Sequence, residues 1–217
     1  MAIFTVIGLG CFGQTIALEL TKLGHDVIGI DTVQRNIEQV ADRITHAVIA
    51  DATDEKVLDE LNVKKSAAAI VAIGEDIEAS ILCVLNLKNL NIAQVWVKAK
   101  TKSHHTILSH LGVEKILHPE EDMGIRIAQT LSYPMVSRYM ALDSGHFIVK
   151  VLIHEKLHGV NLQGLMQKYA ENIQILLVQR DTQIFYQISD DFTLAKDDIL
   201  IVEGLQHNLQ KLSSSFQ

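Results

Sequence analysis

Gly8-Leu9-Gly10-Cys11-Phe12-Gly13 follows the apolar run Ile3 to Ile7 and precedes a stretch with helical spacing, Ile16, Ala17, Leu20 and Leu23. A G-x-G-x-x-G is a weak signal alone, but between a strand and a helix it is the turn that cradles a diphosphate. Gly8 allows the tight turn, Gly10 lets a diphosphate approach the backbone, and Gly13 lets helix and strand pack closely. The helix N-terminus, where Cys11 and Phe12 stand, offers unpaired N–H groups and the positive end of the helix dipole. Asp31 ends the next apolar run, 18 residues past Gly13. There a carboxylate accepts hydrogen bonds from ribose hydroxyls and repels a 2′-phosphate. Two further strand ends, Ala50-Asp51-Ala52-Thr53 and Val71-Ala72-Ile73-Gly74, would add small side chains to the same pocket and leave room for a purine ring. Asp51 could accept from an exocyclic amine; a turn or capping role explains it equally well.

Other residues that could do chemistry fit bland roles better. His154-Glu155-Lys156-Leu157-His158 reads H-E-x-x-H, but it binds zinc only on a helix, where residues four apart share a face. Here it follows a strand and runs into Gly159, so it reads as a strand end and turn. His104 and His105 are adjacent, point about 100° apart on a helix, and read as structural or solvated. His118 before Pro119 reads as structural. Cys11 at a helix N-terminus could have a lowered pKa; a small tolerated side chain is the plainer reading. Cys11 and Cys83 stand in no metal-ligand spacing, which suits a reducing compartment.

The elements that must position this loop alternate between two periods. Strands are expected at Ile3–Ile7, Val27–Ile30, Ala47–Ile49, Ala68–Ile73, Gln94–Ala99 and Lys115–Leu117. Helices are expected at Gln14–Leu23, from Thr32 or Asn36 as cap to Arg43, and at Asp54–Leu61, Glu75–Leu90, Lys102–Leu111 and Pro119–Leu131. Six β-α units in a row predict a Rossmann-like α/β domain, a doubly wound parallel six-stranded sheet in order 3-2-1-4-5-6, over residues 1–133. Residues 134–144 read as a linker. Residues 145–217 read as a small α+β domain in β-α-β-β-β-α order: strands His146–Ile153, Ile173–Gln179, Ile184–Ile188 and Ile199–Val202, helices Asn161–Tyr169 and Leu205–Leu212, and a frayed tail from Ser213.

Composition narrows the function classes. Apolar residues are 48 % and charged residues 21 % of 217, enough to bury a core. The formal charge of −7 disfavours nucleic acid, which needs a basic footprint. The longest apolar run, Ala67 to Ile73, is far shorter than the roughly 20 residues that span a bilayer. The N-terminus lacks the basic n-region of a signal peptide.

The succession of Gly-Leu-Gly-x-Phe-Gly, Asp31, Ala-Asp-Ala-Thr, Val-Ala-Ile-Gly, Trp96-Val97-Lys98-Ala99, His118-Pro119-Glu120 and Asp122-Met123-Gly124 resembles the RCK (regulator of K⁺ conductance) family, in the branch that serves bacterial Ktr and Trk potassium uptake. The likeness covers nearly the whole chain. It implies a nucleotide-binding RCK N-terminal domain, an RCK C-terminal regulatory domain, and ATP or ADP as competing ligands. It also implies homodimers assembled into an octameric ring beneath a membrane-embedded K⁺-translocating subunit, hence a cytoplasmic location at the inner face of the cell membrane. By position, Gly8, Gly10 and Gly13 resemble the phosphate cradle and Asp31 the ribose-holding acid. Asp51, Ala52, Thr53, Ala72, Ile73 and Gly74 resemble the adenosine side, and Lys98 the phosphate end. Glu120 resembles the acid that binds a divalent or monovalent cation with the nucleotide, and the helix from Gly124 to Leu131 the crossover element between paired subunits. Where the family loop usually carries arginine, this chain has Cys11, which cannot contact a terminal phosphate as a bidentate cation. NAD(H) therefore stands beside ATP and ADP as an expected ligand. The reading is a regulatory subunit and not an enzyme. The alternatives are a small NAD(H)-dependent oxidoreductase and a nucleotide sensor coupled to a different transporter.

Overall fold

The computed structural model describes residues 1–132, 136–142, 145–167 and 173–215. The chain divides into two compact units, Met1–Pro119 and Glu120–Gln217. This places the boundary at the start of the last helix of the first six β-α units, ahead of the expected division at 133.

In the first unit, β1 (Ile3–Ile7), β2 (Asp26–Asp31), β3 (His46–Ile49), β4 (Ala68–Val71), β5 (Val95–Lys98) and β6 (Lys115–Leu117) form one parallel sheet in the order β3-β2-β1-β4-β5-β6. The helices between them are α1 (Cys11–Lys22), α2 (Gln34–Glu38), α3 (Glu55–Glu60), α4 (Ile77–Asn89) and α5 (Lys102–His110). Helices cover both sheet faces, so strand residues on both faces are apolar. Ile7, Ile30, Val71, Val95 and Val97 pack with Leu58, Val84, Leu87 and Leu108 on one side. Val6, Val27 and Ile70 pack with Ala17, Ile37 and Ile44 on the other. Trp96 packs against this second cluster, with Lys115 Nζ 4.6 Å from its ring centroid.

Helix starts are set by short polar side chains. Asp54 accepts from Lys56 N, Asp76 from Ala79 N and Thr101 from His104 N. α2 differs from the expectation. Its N-cap is Val33, neither Thr32 nor Asn36, and it ends at Glu38. No side chain caps the helix; ahead of it the Asp31 Oδ1 accepts from the N–H of Val33 at 2.8 Å and turns the chain off β2. β4 stops at Val71, two residues short of the expected end, because Ala72 and Ile73 turn past the glycine loop.

The second unit holds α6 (Pro119–Ser132) from Glu120 on, then an antiparallel sheet of β7 (Val136–Ala141), β8 (His146–Leu152), β9 (Ile173–Arg180), β10 (Gln183–Phe185) and β11 (Ile199–Leu205), in the order β10-β9-β11-β8-β7. β7 corrects the reading of 134–144 as linker, since Tyr139, Met140 and Ala141 pair with Val149, Ile148 and Phe147 of β8. α7 (Leu162–Met166), capped by Asn161 on Gly164 N, and α8 (Gln206–Ser215) accompany the sheet. The continuation of α7 toward Tyr169 lies outside the described residues, and α8 runs through Ser213 to Ser215, where a frayed tail was expected. The core gathers Val149, Val151, Val178, Leu200 and Val202 from the sheet with Leu162, Met166, Leu209 and Leu212 from the helices. Arg180 donates from Nε and Nη2 to the two oxygens of the fully buried Asp198, each at 2.8 Å, and Ala195 N donates to the same carboxylate at 2.7 Å. The H-E-x-x-H stretch is extended at His154 and forms one 3₁₀ turn over Glu155–Leu157; His158 Nδ1 accepts from Lys196 N.

Candidate functional site

The strand order reverses between β1 and β4, and loops leaving the two strands diverge there, which opens a crevice at the carboxyl end of the sheet. The glycine loop fills its rim. Gly8 has φ +86° and donates to Ile30 O at 2.8 Å, which turns the chain off β1. A Cβ on Gly13 would stand 1.9 Å from Gly8 O, so only glycine lets α1 start this close to β1. The space before Gly10 is open, and the first N–H groups of α1 have no intrahelical acceptor.

Below the loop lies a cleft of about 610 Å³, within the range of small-molecule sites. It brings together Gly8, Gly10, Asp31, Asp51, Ala52, Thr53, Ala72, Ile73 and Gly74. Asp31 is held from three directions: Oδ2 accepts from Leu9 N at 2.6 Å and Asn36 Nδ2 at 3.1 Å, while Oδ1 accepts from Val33 N. It therefore ties the glycine loop to α2 and faces the cleft with no cation among its hydrogen-bond donors. Asp51 Oδ1 accepts from both Thr53 Oγ1 (2.7 Å) and Thr53 N (2.9 Å). The Thr53 hydroxyl, then its N–H, hold the Asp51 carboxyl below the usual range, so it stays ionised as an acceptor. Asn86 of α4 donates to Thr53 O at 2.8 Å and fixes this loop against the helix.

Cys11 and Phe12 begin α1, and Cys11 is exposed. Lys98 Nζ lies 5.9 Å from the Phe12 ring centroid and 3.1 Å from where a Cβ on Gly74 would stand, so its ammonium sits between the glycine loop and the end of β4. Lys100 is paired with Glu75. Glu120, on the first turn of α6, falls in the other compact unit.

Sequence reasoning missed the far wall. Glu78, Ala79, Leu82 and Cys83 of α4 line the cleft, as does Asn36. The spacing held the signal, since 78 and 82, like 79 and 83, share a helix face. Burial, then Asp51 and Asp76 nearby, push the Cys83 thiol up to about 12, so it remains protonated and serves as an apolar surface. The lining carries five carboxylates, from Asp31, Asp51, Glu75, Asp76 and Glu78, and no Lys or Arg. A phosphorylated ligand would thus lay its neutral, hydroxyl- and amine-bearing part here and direct its phosphates to the loop, α1 and Lys98.

Residues 4–119 match the TrkA-N domain. This chain belongs to the TrkA-N family. The TrkA-N match covers the whole first unit but for its first three residues. Relatives extend the likeness to the second unit: the chain is 36 % identical to Ktr system potassium uptake protein A of Bacillus subtilis, over 97 % of this chain and 95 % of that one. It is 37 % identical to Ktr system potassium uptake protein C of the same organism, over 93 % and 91 %. Among solved structures, the GsuK RCK domain superposes with a TM-score of 0.65 at 16 % identity, over 99 % of this chain and 47 % of that longer one, which shows the shared fold. The likeness to the Ktr proteins thus extends over both units. Among the described residues no helix is long and apolar enough to cross a membrane.

Proposed function

We propose that this chain is the nucleotide-binding regulatory subunit of a potassium-uptake system, and that it gates a membrane-embedded K⁺-translocating subunit from the cytoplasmic face. The observation that carries the reading is the crevice at the strand reversal: a complete glycine loop, a helix N-terminus and a carboxylate at the end of β2. It occurs in a chain that aligns nearly end to end with Ktr uptake proteins. The ligand is ATP or ADP, with NAD(H) as the alternative. Asp31 takes the ribose; Asp51, Ala52, Thr53, Ala72, Ile73 and Gly74 frame the base; Gly8, Gly10, Cys11, Phe12, Gly13 and Lys98 meet the phosphates. Glu120 holds the accompanying cation.

Regulation of this kind needs no catalytic group; it needs two ligands with different affinities for two states of the assembly. The exposed Met123, Ile125, Ile127 and Leu131 of α6 favour a partner copy on that helix, and so a homodimer that builds an octameric ring. Mass spectrometry of nucleotide released from the purified protein, followed by titration of ATP, ADP and NADH, tests the ligand. Potassium uptake by cells that express the chain with its membrane partner tests the role. Uptake that depends on both proteins and is lost in Asp31→Asn is the expected result. Binding of none of the three nucleotides would overturn the proposal, as would turnover of NADH with a carbonyl substrate.

A further inference from the structure

Asp31 faces the cleft with most of its acceptor capacity already used. A carboxylate offers about four in-plane acceptor positions, two on each oxygen. Oδ2 meets Leu9 N at 2.6 Å and Asn36 Nδ2 at 3.1 Å, and Oδ1 meets Val33 N at 2.8 Å. The position that remains is on Oδ1. A ribose presents two neighbouring hydroxyls, and an unencumbered carboxylate would take one on each oxygen. We propose that Asn36 takes the ribose hydroxyl that Asp31 cannot, so that two side chains read the diol and Asn36 is a specificity-determining residue of the cleft. This role rests on the nucleotide reading proposed above.

Asn36 stands on the same wall of the cleft as Asp31, Thr32 and Val33. The short turn that carries it is anchored, because the next residue, Ile37, is buried in the core with Val40 and Ile44. Gln14 of α1 donates to Gln39 Oε1 at 2.7 Å and holds the far end of α2. A carboxylate only accepts, so the side of the amide turned to Asp31 is its nitrogen, which fixes the orientation of the group. The amide keeps its carbonyl oxygen and its second N–H. Among the described residues no other side-chain hydrogen bond engages Asn36. The carbonyl can accept from a hydroxyl and the N–H can donate to one, so the group serves a hydroxyl whichever way its proton points. Its bond to Asp31 Oδ2 places the two side chains within reach of hydroxyls on adjacent carbons of one ring.

Calorimetric titration of the full chain with ATP, 2′-deoxy-ATP and 3′-deoxy-ATP tests the role, in the natural sequence and in Asn36→Ala. Each deoxy analogue should bind the natural chain roughly fivefold or more weakly than ATP, the scale of one net hydrogen bond. In Asn36→Ala one analogue should come within about twofold of ATP, while the other keeps its penalty because its hydroxyl belongs to Asp31. Loss of both penalties together would overturn the proposal, since Asn36 would then act only by orienting Asp31. Retention of both would overturn it too and assign the second hydroxyl to another group, as would a natural chain indifferent to either deletion. All three outcomes leave nucleotide binding intact. Failure of ATP to bind the natural chain would instead remove the nucleotide reading, and this role with it.

Discussion

Asp31 in the first unit and Asp198 in the second are both tied down by backbone N–H groups, yet they are opposite kinds of carboxylate. Asp198 is fully buried, and the Arg180 fork donates one bond to each of its oxygens while Ala195 N donates another. It is closed off from solvent, and its charge is matched. Asp31 accepts from Leu9 N, Val33 N and Asn36 Nδ2, with no guanidinium or ammonium among these donors, and it faces open space. A charge held by dipoles alone stays unmatched, and on an open cleft its remaining acceptor position can meet hydroxyl donors that arrive from solution. Hydrogen-bond count does not separate the buried aspartate from the one that faces the cleft; the sign of the partners does.

That contrast sets the order of expected effects. Asp198→Ala leaves the Arg180 guanidinium and Ala195 N without their acceptor. It should cost about 3 kcal/mol, the low end for a broken buried pair because the Arg180 side chain is 35 % exposed. Urea unfolding followed by circular dichroism measures it, and a loss below about 1 kcal/mol would erase the distinction. Asp31→Asn keeps one acceptor for the loop and removes the charge. Stability should change by less than about 1 kcal/mol, while nucleotide affinity falls by about 1.5–3 kcal/mol, a charge-assisted bond. Calorimetry that found affinity intact would remove Asp31 from the ribose. Cys11→Arg adds to the phosphate end what the cleft lacks. ATP and ADP should bind the natural chain within about tenfold of each other and the variant with a wider gap in favour of ATP; a strong ATP preference already present with cysteine, and unmoved by arginine, would put the discrimination elsewhere.

The smallest effect concerns His104, which is 1 % exposed with Nε2 unpartnered, whereas Lys100 N donates to its Nδ1. Burial holds its pKa below the ordinary 6.5, so the unfolded chain takes up the proton first. Stability of the first unit is untouched above that pH and should fall as the pH drops below it. His104→Leu should flatten that decline. An equal slope in both proteins would assign the acid sensitivity to other groups.

Much of this was legible because parallel sheets write themselves plainly. Apolar runs buried on both faces, broken by Gly8, Gly24 and Asp31, gave the strands and their order, and the spacing from Gly13 to Asp31 marked the crevice. What escaped was whatever depends on pairing across long distance. β7 has no alternation of its own to announce it and is a strand because β8 lies beside it. The α2 start differs because Val33 begins it without a side-chain cap, held from the end of β2 by the Asp31 carboxylate on Val33 N, outside the local pattern that Thr32 and Asn36 suggested. The α4 wall of the cleft and the Asn86 tether to Thr53 join residues more than thirty positions apart, which no local spacing encodes.

Trp96, the single tryptophan of the sequence, stands two residues before Lys98 on β5, so both side chains leave the same face of the strand. Its indole rests on the apolar layer that includes Leu9, from the glycine loop itself, and Ala17 of α1, with the Lys115 ammonium over its ring. The chain thereby carries one intrinsic fluorophore, seated on the α1 side of the sheet and beside a cationic quencher. Its emission colour and lifetime are tied to how that apolar layer is packed, with no label and no competing tryptophan signal from the second unit.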